Sequence, residues 1–345
     1  MTQDTSPIPP SFLQHPEFIQ DYVWPVYAHG SKATAPAGWE VEVAQSRRTG
    51  RVTAGYRLDE ELRFFAKFYA DGAEGSASYY ILRTLWKQGF GAESPYRVSE
   101  PLGYLPEHGV LLMRAAEGEC LLALQAHGWE TWKEGLRGAA RWLAALHASP
   151  VRQGPPEDVG QGVFRLARRI AKTAARKPEA EKLLICLVKD LAGRAAAIAG
   201  PRSQVQTHGD YHASHVFLAP ENVTVIDLDR SCPADPAKDV AKFLHRLRAG
   251  VAKHKLDYDT AERATSVFLE EYTRHSPADL SGLAYYWSYS ILSKLLYTIR
   301  RCHLDEDIRE QRVDFYRAEF YDIPRRLESG VLMVRQAHHG SLSKG

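Results

Sequence analysis

The sequence predicts an α+β protein of two lobes, a small β-rich one followed by a larger helical one. Three observations carry that prediction. Apolar residues alternate at period two between Trp39 and Tyr69. After Gly118 they recur at helical spacing over seven segments, and one β-rich stretch, residues 205–229, interrupts that helical half. A length of 345 residues suits two units, each able to bury a core of its own.

Residues 1–20 read as an N-terminal arm, because Pro7, Pro9 and Pro10 exclude a regular start, with Phe12 and Phe18 placed to dock it. A β-rich lobe then spans 21–114. Its strands are Trp39–Ala44, Arg51–Leu58 and Leu62–Tyr69, with a turn at Arg47–Gly50 between the first two. Ala73–Gln88 has helical spacing and meets Gly89, a good stop. Two short strands follow, Pro101–Leu105 and Val110–Arg114. The helical lobe spans 115–336, with helices expected at 131–147, 162–175, 179–199, 238–253, 260–275, 284–303 and 308–327. The tail 337–345 is expected to be disordered.

Composition excludes several function classes. Lys plus Arg is 44 and Asp plus Glu is 42, a net charge of +2, too balanced for a nucleic-acid or anionic-membrane binder. Cys120, Cys186, Cys232 and Cys302 form no CxxC pair and read as reduced, buried thiols. The N-terminus lacks the basic-then-apolar order of a signal peptide, and the longest uncharged apolar-rich run, Leu280–Ser293, is too short to span a bilayer. A cytoplasmic protein is expected. Gly30-Ser31-Lys32 lacks the upstream glycine of a phosphate-binding P-loop, since Pro25 stands there. No GxGxxG follows a strand, and there is no nucleophilic-serine elbow.

The informative stretch is His208-Gly-Asp-Tyr-His-Ala-Ser-His215, then a hairpin, then Val225-Ile-Asp-Leu-Asp229. Val216–Leu218 and Val223–Ile226 match as strands around a turn at Pro220–Asn222. Closing that hairpin is expected to carry position 215 toward position 227, with Asp210 one short loop away. Phosphoryl transfer needs such parts: one carboxylate to orient the attacking hydroxyl and take its proton, and others to hold Mg²⁺ on the nucleotide phosphates.

In these residues the chain resembles the aminoglycoside phosphotransferase and choline kinase-like family, which shares the protein-kinase fold. The family pattern HGDxHxxN, hairpin, IDxD, GDPxxDLA is matched by HGDYHASH at 208–215, VIDLD at 225–229 and ADPAKDVAKF at 234–243. Trp142-Leu-Ala-Ala-Leu-His147 fits its LxxLH helix end. The resemblance covers roughly residues 39–325 and is strongest in the C-terminal half. It implies transfer of the γ-phosphoryl of ATP, with GTP as the alternative donor, to a hydroxyl of a small acceptor such as a sugar, an amino alcohol or an aminoglycoside. Position by position, it implies Asp210 as catalytic base, Asp227 and Asp229 as ligands of Mg²⁺ (or Mn²⁺), and Asp239 and His208 as supports of the catalytic loop. It also implies Lys67 on the nucleotide phosphates, and Met113, Arg114, Ala115 and Ala116 as the hinge whose backbone reads the base.

Two departures stand out. His215 occupies the place of the family's Asn, where an imidazole is a softer metal ligand than an amide oxygen; it is expected on metal or on phosphate. Ser78 and Tyr79 occupy the turn where an acid should pair with Lys67, which leaves Glu74, one turn earlier, as the candidate. Two other readings compete. His208, His212 and His215, with Asp210 and Asp227, are also a donor set for Zn²⁺ in a hydrolase, although Gly209 and a strand from Val216 oppose the helix that would align them. A catalytically silent nucleotide-binding protein of the same fold is the other, motivated by His215 and the missing helix acid.

Overall fold

The computed structural model describes residues 11–28, 34–35, 38–45, 51–200, 202–253, 255–300 and 305–329. The N-terminal prolines, Gly30-Ser31-Lys32, the expected turn at 47–50, Cys302 and the tail from 337 lie outside the described residues. The chain divides into two compact units, Met1–Glu119 with Phe217–Asp229, and Cys120–Val216 with Arg230–Gly345.

The first unit is built on strands β1 (Glu40–Gln45), β2 (Val52–Leu58), β3 (Glu61–Phe68), β4 (Tyr96–Val98), β5 (Pro101–Leu105) and β6 (Val110–Arg114), with helix α1 (Gly72–Lys87) after β3. Five of them form an antiparallel sheet in the order β1-β2-β3-β6-β5. Period-two alternation sends Val52, Ala54 and Tyr56, Phe64 and Ala66, and Val110 and Leu112 to one buried face. Short helical turns between Ser11 and Tyr27 lay Leu13, Phe18, Ile19 and Val23 on the same core. The buried Tyr56 hydroxyl donates to the Leu13 carbonyl at 2.7 Å, so its one polar atom is satisfied. Lys67 sits in central β3, opposite Thr53 on one side and Leu111 on the other. It is out of phase with Phe64 and Ala66 and therefore leaves the core face.

In the second unit, helices α2 (Trp129–Ala148), α3 (Val159–Ala174) and α4 (Glu181–Ala197) precede the β-rich stretch; its strands β7 (Val205–Thr207) and β10 (Cys232–Ala234) belong to this unit, whereas β8 (Val216–Leu218), from Phe217 on, and β9 (Val223–Val225) belong to the first. Helices α5 (Ala237–Arg248), α6 (Tyr258–His275), α7 (Leu283–Ile299) and α8 (Glu306–Glu328) follow. Their apolar stripes bury Trp142 and Leu146, Phe268 and Tyr272, Trp287 and Leu295, and Tyr316 and Phe320. Asp158, Asp257 and Asp305 cap α3, α6 and α8 through their carboxylates. The helix expected over 238–253 stops at Arg248. Gly250 follows and bonds back to Leu247, and a separate 3₁₀ turn takes Val251–Lys253. Among the described residues no helix is long and apolar enough to cross a membrane.

Candidate active site

Within the first unit, β9 runs parallel to β4, pairing Val223 with Tyr96, and the chain then enters Ile226–Asp229. Asp227 has a φ of +65°, a left-handed backbone that a non-glycine residue adopts at a cost of roughly 1–3 kcal/mol. Such a conformation persists only where surrounding contacts hold it. Lys67 Nζ lies 2.6 Å from Asp227 Oδ1 and 2.6 Å from Asp229 Oδ2. Asp229 is only 6% exposed and also receives Arg51 Nη1 at 2.8 Å and the Tyr69 hydroxyl at 2.7 Å. Burial and the neighbouring Asp229 carboxylate push the Tyr69 phenol well up, so it remains a donor. Both oxygens of Asp229 are thus engaged by protein groups, whereas the Asp227 side chain is 37% exposed. Carboxylate oxygens at 227 and 229 are the hard donors that Mg²⁺ takes, and Asp227 is the more open of the two.

Glu74 does not reach Lys67. It lies in the first turn of α1, half-exposed, with its carboxylate on Arg51 at 2.9 Å. The inward position on the next turn is Ser78, buried beside the Tyr69 hydroxyl. The lysine's acidic partners are Asp227 and Asp229 instead. Met113 is paired with Phe65 of β3, and Arg114 and Ala115 donate their N–H groups to the carbonyls of Glu100 (2.9 Å) and Arg63 (3.1 Å). The backbone donors of Arg114 and Ala115 are therefore spent within the unit, and Ala116 is the next along the chain.

Within the second unit, β7 and β10 pair antiparallel and deliver the loop that begins at His208. Asp239, in the first turn of α5 and fully buried, accepts the N–H groups of His208 at 2.6 Å and Gly209 at 2.8 Å. His147, at the end of α2, places Nε2 3.4 Å from the same carboxylate and Nδ1 2.7 Å from the Tyr272 hydroxyl. Burial alone would raise the Asp239 carboxyl, but His147 and His208 hold it below the ordinary carboxylate range. Gly209 has a φ of +80°, and a Cβ there would meet the Arg230 carbonyl oxygen at 2.1 Å, so only glycine fits.

That brace presents Asp210. Its Oδ1 lies 3.0 Å from Lys242 Nζ without the direction of a good hydrogen bond. Burial pushes the carboxyl up, but Lys242, with Arg246 beyond it, outweighs burial and keeps it ionised, well below the usual range. The three histidines are used as loop struts. His208 Nδ1 accepts the Asp210 N–H at 3.3 Å, His212 Nδ1 lies 2.9 Å from the Ser214 hydroxyl, and His215 Nδ1 donates to the Asp210 carbonyl at 3.2 Å. Burial, with His215 and Arg246 nearby, pushes His212 far down and keeps it neutral. Among the described residues no three His, Cys, Asp or Glu groups are gathered to hold a metal ion, which leaves the zinc reading without geometric support.

Sequence reasoning missed Arg51, Tyr69 and Lys242. Arg51 and Tyr69 are end residues of predicted strands and carry no motif. Lys242 lies three positions after Asp239, so helical spacing places it on the same side of α5, a signal that was available.

The family model for APH, the phosphotransferase enzyme family, matches residues 44–274, more than half of the chain. No curated protein matches at a significant level. Solved structures share the fold at low identity. A choline kinase from Cryptosporidium parvum is 12% identical with a TM-score of 0.59, covering 88% of this chain and 94% of that one. An ethanolamine kinase from Plasmodium vivax is 11% identical with a TM-score of 0.58, covering 87% and 86%. A glucosamine kinase is 17% identical with a TM-score of 0.57, covering 86% and 84%. The two-lobed kinase-like α+β fold expected from the motifs is the fold of this chain.

Proposed function

Because the chain belongs to the phosphotransferase enzyme family, we propose that it is a small-molecule kinase that moves the γ-phosphoryl of ATP to a hydroxyl of a small acceptor. The observation that carries this reading is Asp210, an ionised carboxylate held on a loop whose backbone is fastened by Asp239. The acceptor hydroxyl gives its proton to Asp210 as its oxygen bonds to the γ-phosphorus, and the bond from that phosphorus to the β-phosphate bridge breaks to release ADP. Asp227 would hold Mg²⁺, which neutralises phosphate charge when bound. Asp229 then serves to aim Lys67 at the nucleotide phosphates, a task that a helix glutamate performs where one is present. Ala116 is the backbone donor best placed by sequence to read the base. The named substrates of the structural neighbours, choline, ethanolamine and glucosamine, support a small hydroxyl acceptor.

The test is transfer of labelled γ-phosphate to a panel of sugars and amino alcohols with Mg²⁺. Asp210→Asn is expected to lower kcat by about 10²–10⁴-fold while nucleotide still binds. Transfer by the variant at the parent rate would remove Asp210 from the base role. Nucleotide bound without Asp210-dependent turnover would favour the silent reading.

A further inference from the structure

A cavity of about 270 Å³ opens beside the Asp210 loop, entirely within the second unit. Gly209 of the loop, Lys242 of α5 and Arg230 form one side. Tyr285, Tyr286 and Tyr289 of α7 supply aromatic walls. Three tyrosines alone would suit a quaternary ammonium. The charges around them do not. Four cationic side chains and two carboxylates line the cavity, and each of those carboxylates is already used. Glu157 is shared by Arg165 at 2.8 Å and by Lys238. Asp158 accepts the Gln161 N–H at 2.7 Å as the cap of α3. Asp210 itself faces Lys242. An entering ammonium therefore meets no carboxylate that is not already answered by a donor.

Arg230 is the opposite case. It is exposed, lines the cavity, and among the described residues has no carboxylate partner. Its carbonyl is held against Gly209, so the residue stands next to the loop that carries Asp210. A planar guanidinium with open donors pairs well with a carboxylate or a phosphate. We infer that the acceptor is a small hydroxyl compound bearing an anionic group, which Arg230 binds while the tyrosines pack its body, rather than an amine. This assignment rests on the kinase reading and narrows its substrate class; Arg230 would be a specificity-determining residue.

The test uses four probes of similar size: D-gluconate, glucose 6-phosphate, glucose and glucosamine. Initial rates of ATP-dependent transfer are measured with the parent protein, Arg230→Ala and Arg230→Lys. At least one acid is expected to exceed glucosamine tenfold or more in kcat/KM, and which acid does so separates a carboxylate from a phosphate ligand. Arg230→Ala should erase that preference by raising the acceptor KM about tenfold, and Arg230→Lys should restore part of it. Preference for glucosamine overturns the assignment, as does an acid preference indifferent to Arg230→Ala. Failure of both acids while Asp210-dependent hydrolysis of ATP to water persists overturns it too and leaves the kinase reading standing. Absence of any Asp210-dependent turnover of ATP overturns the kinase reading itself.

Discussion

Asp210 and Lys242 form the pair on which the proposed chemistry depends. A buried carboxylate without a cation is pushed up and sits protonated nearer neutral pH, unable to take a proton; Lys242, with Arg246, reverses that. In the parent protein the base therefore stays ionised through the usual carboxylate range, and kcat should not fall on its account between pH 8 and about 5. In Lys242→Met the burial remains and the strongest opposing charge is gone. The acid limb of kcat is expected to move up by roughly one to two pH units, so activity is lost sooner as pH falls. A pH–rate profile with saturating acceptor reads this directly. An unshifted limb would mean that Lys242 does not control the base.

At the scale of elements, the joint between α5 and the loop after β7 is one carboxylate. Asp239 satisfies two backbone donors that burial would otherwise leave without partners. Asp239→Ala should cost about 2–4 kcal/mol, visible as a lowered Tm. The sign of its pH dependence follows from its depressed pKa. The stabilisation is fully present above the unfolded carboxylate pKa and is lost as pH falls through the folded value. The gap in Tm between parent and variant is therefore expected to be widest near pH 7 and to narrow in acid. A gap independent of pH would assign the loss to packing rather than to the ionised carboxylate.

Across the second unit as a whole, α5, α6 and α8 share one buried cation. Arg248 is 1% exposed, with Nε and Nη2 each 2.6 Å from the Glu319 carboxylate of α8, and it also bonds Glu262 and Tyr258 of α6. Arg248→Met strands Glu319 in the interior and is expected to cost about 3–5 kcal/mol. The double variant with Glu319→Leu should recover much of that, because no buried charge is then left alone. Thermal melts of the two variants distinguish this from lost packing, in which case the double variant would melt lower still.

The sequence alone carried the α+β class, the order of its elements and the segment 208–239, because each is written in local spacing. Alternation put Lys67 on the face away from Phe64 and Ala66, and the motif separations marked Asp210, Asp227 and Asp239. The partners of these residues lay beyond such spacing. Lys67 meets an acid 160 positions away, and Arg51 meets one 178 positions away. Glu74, near in sequence to the expected position, is drawn off by Arg51. Periodicity reports which face of an element is apolar but not which distant side chain arrives there. That is settled when the sheet closes and the hairpin lies against β4. The charge around the cavity is partly the same kind of property: Asp158 is answered locally by the helix it caps, but Glu157 is countered by Arg165 of α3 and Lys238 of α5, a balance that exists only once those elements are packed together.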